Sequence, residues 1–170
     1  MIHIYCGVGK GKSTCAFGLC LRAAGRGWDV VVAQFLKTGD SGERLALAAL
    51  PQVALLPLPQ TMKFTFAMSP DERRAAAEIC LELLAGVERA LERGARLAVL
   101  DECCSAVGTG MLPIGEVTAL LDRWGSEREI VLTGRDPHPA LVERAHYITE
   151  MRKLRHPFDQ GAEARRGVEF

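Results

Sequence analysis

Near the start of the chain, Gly7-Val8-Gly9-Lys10-Gly11-Lys12-Ser13-Thr14 separates a short apolar run, Ile2–Cys6, from a longer one, Ser13–Ala24, that stops at Gly25 and Gly27. The first run reads as a strand and the second as a helix. A glycine-rich segment between a strand and a helix has one well-understood use. Gly7, Gly9 and Gly11 let the backbone curl until several N–H groups face a single anion. The start of the helix adds partial positive charge at the same place. Lys12 supplies a full charge to phosphates, Lys10 is a further contact, and the Ser13 hydroxyl can ligate Mg²⁺. The segment thus reads as a phosphate loop, with Gly7 to Thr14 around the nucleotide. The strict pattern asks for glycine where Cys6 stands, and the three remaining glycines keep the flexibility. The bland alternative is a glycine-rich turn that binds nothing; two lysines and a Ser-Thr pair in this setting argue against it.

The rest of the chain repeats the alternation. Asp29–Phe35 is a continuous apolar, β-branched run, as in a strand covered on both faces. Glu43–Leu50 can form a short helix and Val53–Leu56 a third strand, with Pro57–Met68 irregular. Ser69-Pro70-Asp71-Glu72 carries a capping box and a proline at the first helical position. Behind it, Ala76, Cys80, Leu83, Leu84, Val87 and Leu91 form a helical stripe, with Glu78, Glu82, Arg89 and Glu92 facing away, up to Gly94. Arg96–Leu100 reads as a strand, Ile114–Trp124 as a helix, Glu129–Leu132 as a strand, Pro139–Arg144 as a short helix and Tyr147–Glu150 as a last strand. Strands alternating with helices over the whole length predict one α/β domain, residues 1–170, with a mostly parallel central sheet between two helical layers. That architecture binds ligands at the carboxyl ends of its strands.

Two polar clusters fall at such ends. Asp101-Glu102 follows the buried run Leu97–Leu100 and supplies carboxylates that, with Ser13, make a shell for Mg²⁺ (or Mn²⁺). Capping of a following helix by Asp101 is the competing reading. Thr133-Gly134-Arg135 ends another strand, and Arg135 can reach a phosphate; an ordinary surface arginine at a turn is the alternative.

Composition excludes several classes. The 21 basic and 21 acidic residues balance, so no overall positive field draws nucleic acid or an anionic membrane. No apolar run approaches the roughly 18 residues of a membrane span, and the N-terminus lacks the basic start of a signal peptide. The six cysteines show neither CxxC pairs nor zinc-ligand spacing, and they read as reduced, mostly buried thiols of a cytoplasmic protein.

Taken together, the segments resemble a known family, the P-loop corrinoid adenosyltransferases of cobalamin biosynthesis. The loop resembles their GNGKGKTT. Leu21-Arg22-Ala23-Ala24-Gly25-Arg26-Gly27 resembles LRAxGxG, and Val32-Ala33-Gln34-Phe35-Leu36-Lys37 resembles VxQFxKG, with Gly42-Glu43 following. Leu100-Asp101-Glu102 matches LDE and Leu132-Thr133-Gly134-Arg135 matches LTGR. The tail is similar too: Thr149-Glu150-Met151, His156-Pro157-Phe158, Gly161, Ala164 and Gly167-Val168-Glu169-Phe170 follow the family's TEM, HPF and closing GIE-aromatic order. There are departures. Val8 replaces Asn or Asp, Ser13 replaces Thr, Arg155 replaces Lys, and Cys103-Cys104-Ser105 stands where aliphatic residues are usual. Lys63-Phe64-Thr65-Phe66 stands in place of GFTW, as in a subgroup with a similar KFTF.

The resemblance implies a RecA-like, P-loop NTPase-like three-layer fold and a transferase that moves the 5′-deoxyadenosyl group of ATP to the Co(I) of a corrinoid, releasing triphosphate. It implies that Lys37 joins the nucleotide site and that Arg135 meets a phosphate or the corrinoid's carboxamide rim. It makes Phe64 and Phe66 the aromatic wall that helps displace the lower cobalt ligand; without it, the pair would read as core contacts beneath the loop. It also implies a homodimer and admits a flavoprotein reductant. Co(I) carries no proton, so no general base is needed, and none of His3, His138, His146 and His156 sits at a strand end near the loop. His3 reads as structural and His156 as either structural or functional. Two other classes stay open at this point: a phosphate-loop kinase or NTPase of small molecules, and a non-catalytic, ATP-responsive corrinoid carrier.

Overall fold

In the computed structural model, which describes residues 1–168, strands and helices alternate as β1 (Ile2–Cys6), α1 (Lys12–Ala24), β2 (Val30–Gln34), α2 (Gly42–Leu47), β3 (Val53–Leu55), α3 (Pro70–Glu92), β4 (Leu97–Asp101), α4 (Cys103–Gly108), α5 (Ile114–Trp124), β5 (Glu129–Thr133), α6 (Pro139–Val142) and β6 (Tyr147–Glu150). Short 3-10 turns lie at Thr65–Ala67 and Pro157–Gln160. The six strands form one sheet in the order β3-β2-β4-β5-β1-β6, and every neighbouring pair is parallel.

Side chains alternate across the pleat and so divide the core in two. Val30 and Val32 of β2 join Val99 of β4 and Val131 of β5 under Ala16, Phe17 and Cys20 of α1. Val31 and Ala33 join Ala98, Leu100, Ile130 and Leu132 under α3, α4 and α5 on the other face. This is the three-layer arrangement expected from the sequence. Among the described residues, no helix is long and apolar enough to cross a membrane.

α3 starts as its sequence predicts. The Ser69 Oγ accepts from the Glu72 N–H at 3.3 Å, and the Glu72 carboxylate accepts from the Ser69 N–H at 2.8 Å. The buried stripe of α3 runs from Ala76 to Leu91, as its spacing demands.

Some boundaries differ from the sequence reading. α1 begins at Lys12, β2 is trimmed by a residue at each end, and α2 and α6 stop early, at Leu47 and Val142. β4 and β5 each run one residue further, to Asp101 and Thr133. Those two extra residues are polar yet fully buried, because the Thr133 hydroxyl donates to Asp101 Oδ1 at 2.7 Å. α4 enters the sequence reading only through the alternative that Asp101 caps a following helix, and its cap position is Glu102, not Asp101. Cys103-Cys104-Ser105 has low helix propensity, and the preceding residue gives the helix no side-chain cap. Burial of Cys103, Cys104 and Ala106 holds it instead.

Candidate functional site

Four strand ends meet at one edge of the sheet: those of β1, β2, β4 and β5. The segment after β1 is the glycine-rich loop Gly7–Lys12. Gly7 adopts φ 99° and lies so close to the chain after β6 that a Cβ there would stand 2.6 Å from the Met151 carbonyl oxygen. The Gly7 and Gly9 amides donate to the backbone carbonyls of Arg135, at 3.0 Å, and Met151, at 2.6 Å. The first half of the loop is therefore anchored to its neighbours. The amides available to an anion are those of the first turn of α1, whose N–H groups have no intrahelical partners. Lys12 folds back so that its Nζ donates to the Gly9 carbonyl at 2.9 Å. Burial lowers its pKa, while Glu102 and Asp101 pull the other way. Lys10 Nζ donates to the Val168 carbonyl at 2.7 Å, which brings the tail over the loop.

Behind the loop lies a buried polar chain. Asp101 has 0% of its surface exposed. Its Oδ1 accepts from Thr133; its Oδ2 accepts from Gln34 Nε2 at 3.2 Å and from Lys37 Nζ at 2.6 Å. Gln34 is held in turn by Arg44 Nη1 at 3.1 Å, and Arg44 Nη2 donates to the Leu56 carbonyl at 2.9 Å. Lys37 Nζ also donates to Ser13 Oγ at 3.3 Å. Burial acts to raise the Asp101 pKa, but the Lys37 ammonium and hydrogen bonds from Lys37, Thr133 and Ser13 outweigh it and hold the carboxyl below its ordinary value. Two non-glycine residues in the left-handed region stand at this point, Leu36 at φ 56° and Glu102 at φ 59°. They turn the chain just after β2 and β4, where Lys37 and Glu102 leave the sheet. Such backbone strain gathers at functional sites. The Glu102 amide is secured by Thr133 Oγ1 at 2.9 Å, and its carboxylate by the Ser105 hydroxyl at 2.7 Å.

A cavity of about 690 Å³ opens over these groups, within the usual range for a small-molecule site. Gly9, Lys10, Gly11, Lys12, Ser13 and Thr14 form one side of it, Lys37 and Glu102 another, and Phe64 part of the rim. Other predicted residues, Phe66 among them, do not line it. Gly7 is used in the loop's anchoring, Val8 points outward with 56% of its surface exposed, and Asp101 lies behind Lys37. Arg135 is exposed beside the loop, close enough to depress the Lys12 pKa.

Phe64 and Phe66 are not core contacts. Their rings stack with centroids 5.5 Å apart and planes within 7°, and they are 77% and 87% exposed. Arg73 braces the turn that carries them: Nη1 donates to the Thr65 carbonyl at 3.1 Å and Nη2 to the Thr109 carbonyl at 2.8 Å. Lys63 pairs with Glu72 at 2.6 Å.

The histidines are elsewhere. His3 pairs with Glu129 at 2.7 Å, and His146 Nδ1 accepts from the Ile2 amide at 3.0 Å. His138 and His156 accept from the amides two residues ahead of them in turns. All six cysteines are free. Among the described residues, no group of three His, Cys, Asp or Glu side chains could hold a metal alone. Gln34, Arg44 and Thr133 had no role of their own in the sequence reading, though Gln34 and Thr133 stand in the matched VxQFxK and LTGR segments. Gly167 and Val168 line the cavity, while Glu169 and Phe170 lie outside the described residues.

Comparison with known proteins agrees with this geometry. Residues 1–170 match the model of a family described as ATP:corrinoid adenosyltransferase BtuR/CobO/CobP. A corrinoid adenosyltransferase of Escherichia coli is 33% identical over 172 residues, covering 100% of this chain and 85% of the relative. The corrinoid adenosyltransferase CobA of Salmonella typhimurium gives the same identity and coverage, 33%, 100% and 85%. A corrinoid adenosyltransferase of Pseudomonas aeruginosa is 33% identical over 178 residues, covering 100% of this chain and 83% of its own.

Proposed function

The chain belongs to the ATP:corrinoid adenosyltransferase family, and on that premise we propose that it transfers the 5′-deoxyadenosyl group of ATP to a Co(I) corrinoid at the cavity above the phosphate loop. The observation that carries this reading is the pairing, on one cavity, of a phosphate loop with Phe64, on whose ring the exposed Phe66 stacks outside the cavity. A phosphate loop alone suits any nucleotide enzyme. Two parallel phenyl rings left in water suit a large planar partner with an apolar face.

In this reading the nucleophilic Co(I) attacks the 5′ carbon of ATP, the C5′–O bond breaks, and triphosphate leaves with the electron pair. The first turn of α1 and Lys12 hold the triphosphate, stabilising charge that builds on the leaving group. Lys10, within the loop, and Arg135, beside it, add charge at its edge, and Thr14 stands in the first turn. Phe64 and Phe66 form a wall that keeps water from the cobalt face and disfavours a lower ligand. No proton is moved, in keeping with a cavity lined by no histidine among the described residues.

The residues fit a divalent cation. Ser13 Oγ and Asp101 Oδ2 already converge on one cation, the Lys37 ammonium, and both are hard oxygen donors, with Glu102 on the same cavity. Mg²⁺ bound there with ATP would neutralise part of the triphosphate charge. The proposal further places the enzyme in the cytoplasm as a single-domain protomer of a homodimer, supplied with electrons by a flavoprotein.

ATP labelled at the γ-phosphate distinguishes this chemistry from phosphoryl transfer. With reduced corrinoid present, the label is expected in intact triphosphate. Label appearing in free phosphate, or in a phosphorylated acceptor beside ADP, would contradict the proposal.

A further inference from the structure

Lys37 stands where the divalent cation is expected, and we infer that its ammonium is a tethered competitor that keeps the nucleotide-free enzyme from binding metal and yields the seat only when metal arrives with ATP. The inference rests on the reading that the loop takes MgATP.

Nζ lies 2.6 Å from Asp101 Oδ2 and 3.3 Å from Ser13 Oγ, so it touches the two oxygens that would ligate the ion. Asp101 is wholly buried, and its remaining donors, Thr133, Gln34 and Ser13, are neutral. A buried carboxylate needs a countercharge, and Lys37 supplies the one in contact with it. Two cations cannot share Oδ2 at contact distance, since their repulsion in a weakly screened site is large. Metal therefore reaches Asp101 and Ser13 only by displacing Nζ.

The displaced ammonium has somewhere to go. Lys37 also lines the cavity over the phosphate loop, and its side chain is partly exposed rather than locked in the core. Without nucleotide the anions that line the cavity are the carboxylates of Asp40, Glu43 and Glu102; a triphosphate there would add several phosphate oxygens over the loop. Leu36, in the left-handed region, turns the chain just before Lys37. Metal alone must break the ion pair with no phosphate to receive the displaced ammonium. Metal with ATP exchanges that pair for another.

The test is the affinity of Mn²⁺ alone, followed by the loss of its free EPR signal, for the wild type and for Lys37→Met. Lys37→Met is expected to bind Mn²⁺ without nucleotide at least tenfold more tightly than the wild type, and Lys37→Arg, which keeps the charge, to resemble the wild type. Equal Mn²⁺ affinities in wild type and Lys37→Met would overturn the inference. If Lys37→Met does not fold, Lys37→Gln serves, and tight Mn²⁺ binding by nucleotide-free wild type overturns the inference without any variant. Failure of the wild type to bind MgATP at all would instead remove the reading beneath it.

Discussion

Asp101 concentrates the chemistry of the site in one side chain. Its lowered pKa has a stability consequence whose sign follows from linkage. With the folded value below the unfolded one, near the ordinary 3.8, Asp101 contributes stability that is present above that value and lost as pH falls through the folded pKa. Removing the Lys37 charge reverses this. Burial, the largest influence on Asp101 and one that raises its pKa, is then no longer outweighed by a neighbouring cation. The folded pKa moves above the unfolded one, and stability falls as pH rises between them. Lys37→Met is accordingly expected to lie furthest below wild type in urea midpoint at pH 7, and the gap to narrow towards pH 4. A gap independent of pH would mean that Lys37 does not act through Asp101. These partnerships were only half legible in the sequence. Lys12 and Ser13 could be read because loop, charge and hydroxyl are consecutive. Gln34 and Asp101 are 67 positions apart, and Thr133 and Asp101 are 32 apart; only the sheet brings them together.

Among the elements, α4 was hidden and α3 was plain, for physical reasons. α3 carries its start signal in its own residues, while α4 depends on what packs on it. Gly134, just past β5, makes that packing possible. It adopts φ 150°, and a Cβ there would stand 2.5 Å from Cys104 Cβ and 2.8 Å from the Ser105 nitrogen. Gly134→Ala is expected to destabilise by about 1–3 kcal/mol, read as a fall in Tm of roughly 2–4 °C per kcal/mol for a chain of this size. An unchanged Tm would show that α4 can retreat at no cost. The segment expected to be irregular, Pro57–Met68, holds the short turn that presents Phe64 and Phe66, and its brace lies on α3. Arg73→Met is therefore expected to leave MgATP affinity within about twofold while lowering corrinoid turnover, and Phe64→Ala with Phe66→Ala to lower it on the order of 10²-fold, as misplacement at a reacting centre does. If the double variant turns over like wild type, the aromatic stack is not the corrinoid wall.

At the scale of the whole molecule, alternation of apolar runs was enough to anticipate a parallel sheet with helices on both faces. Strand order was not readable, because it depends on which crossovers span which strands. The order found puts β5 and β4 between β1 and β2, so the first crossover spans the sheet's centre and places α1 over it. Loops from β1, β2, β4 and β5 then converge at one edge, and the tail after β6 returns over the phosphate loop through Met151 and Val168. That convergence gives one cavity, and the proposed reading is that ATP and corrinoid meet there and a cobalt–carbon bond is made. The most direct measurement mixes purified protein, MgATP and chemically reduced corrinoid without oxygen, and follows the Co(I) spectrum and triphosphate together, with Lys12→Ala beside it. Loss of Co(I), a light-sensitive product and one triphosphate per cobalt, all absent in Lys12→Ala, is the predicted result. ATP binding with Co(I) left unalkylated would contradict the account.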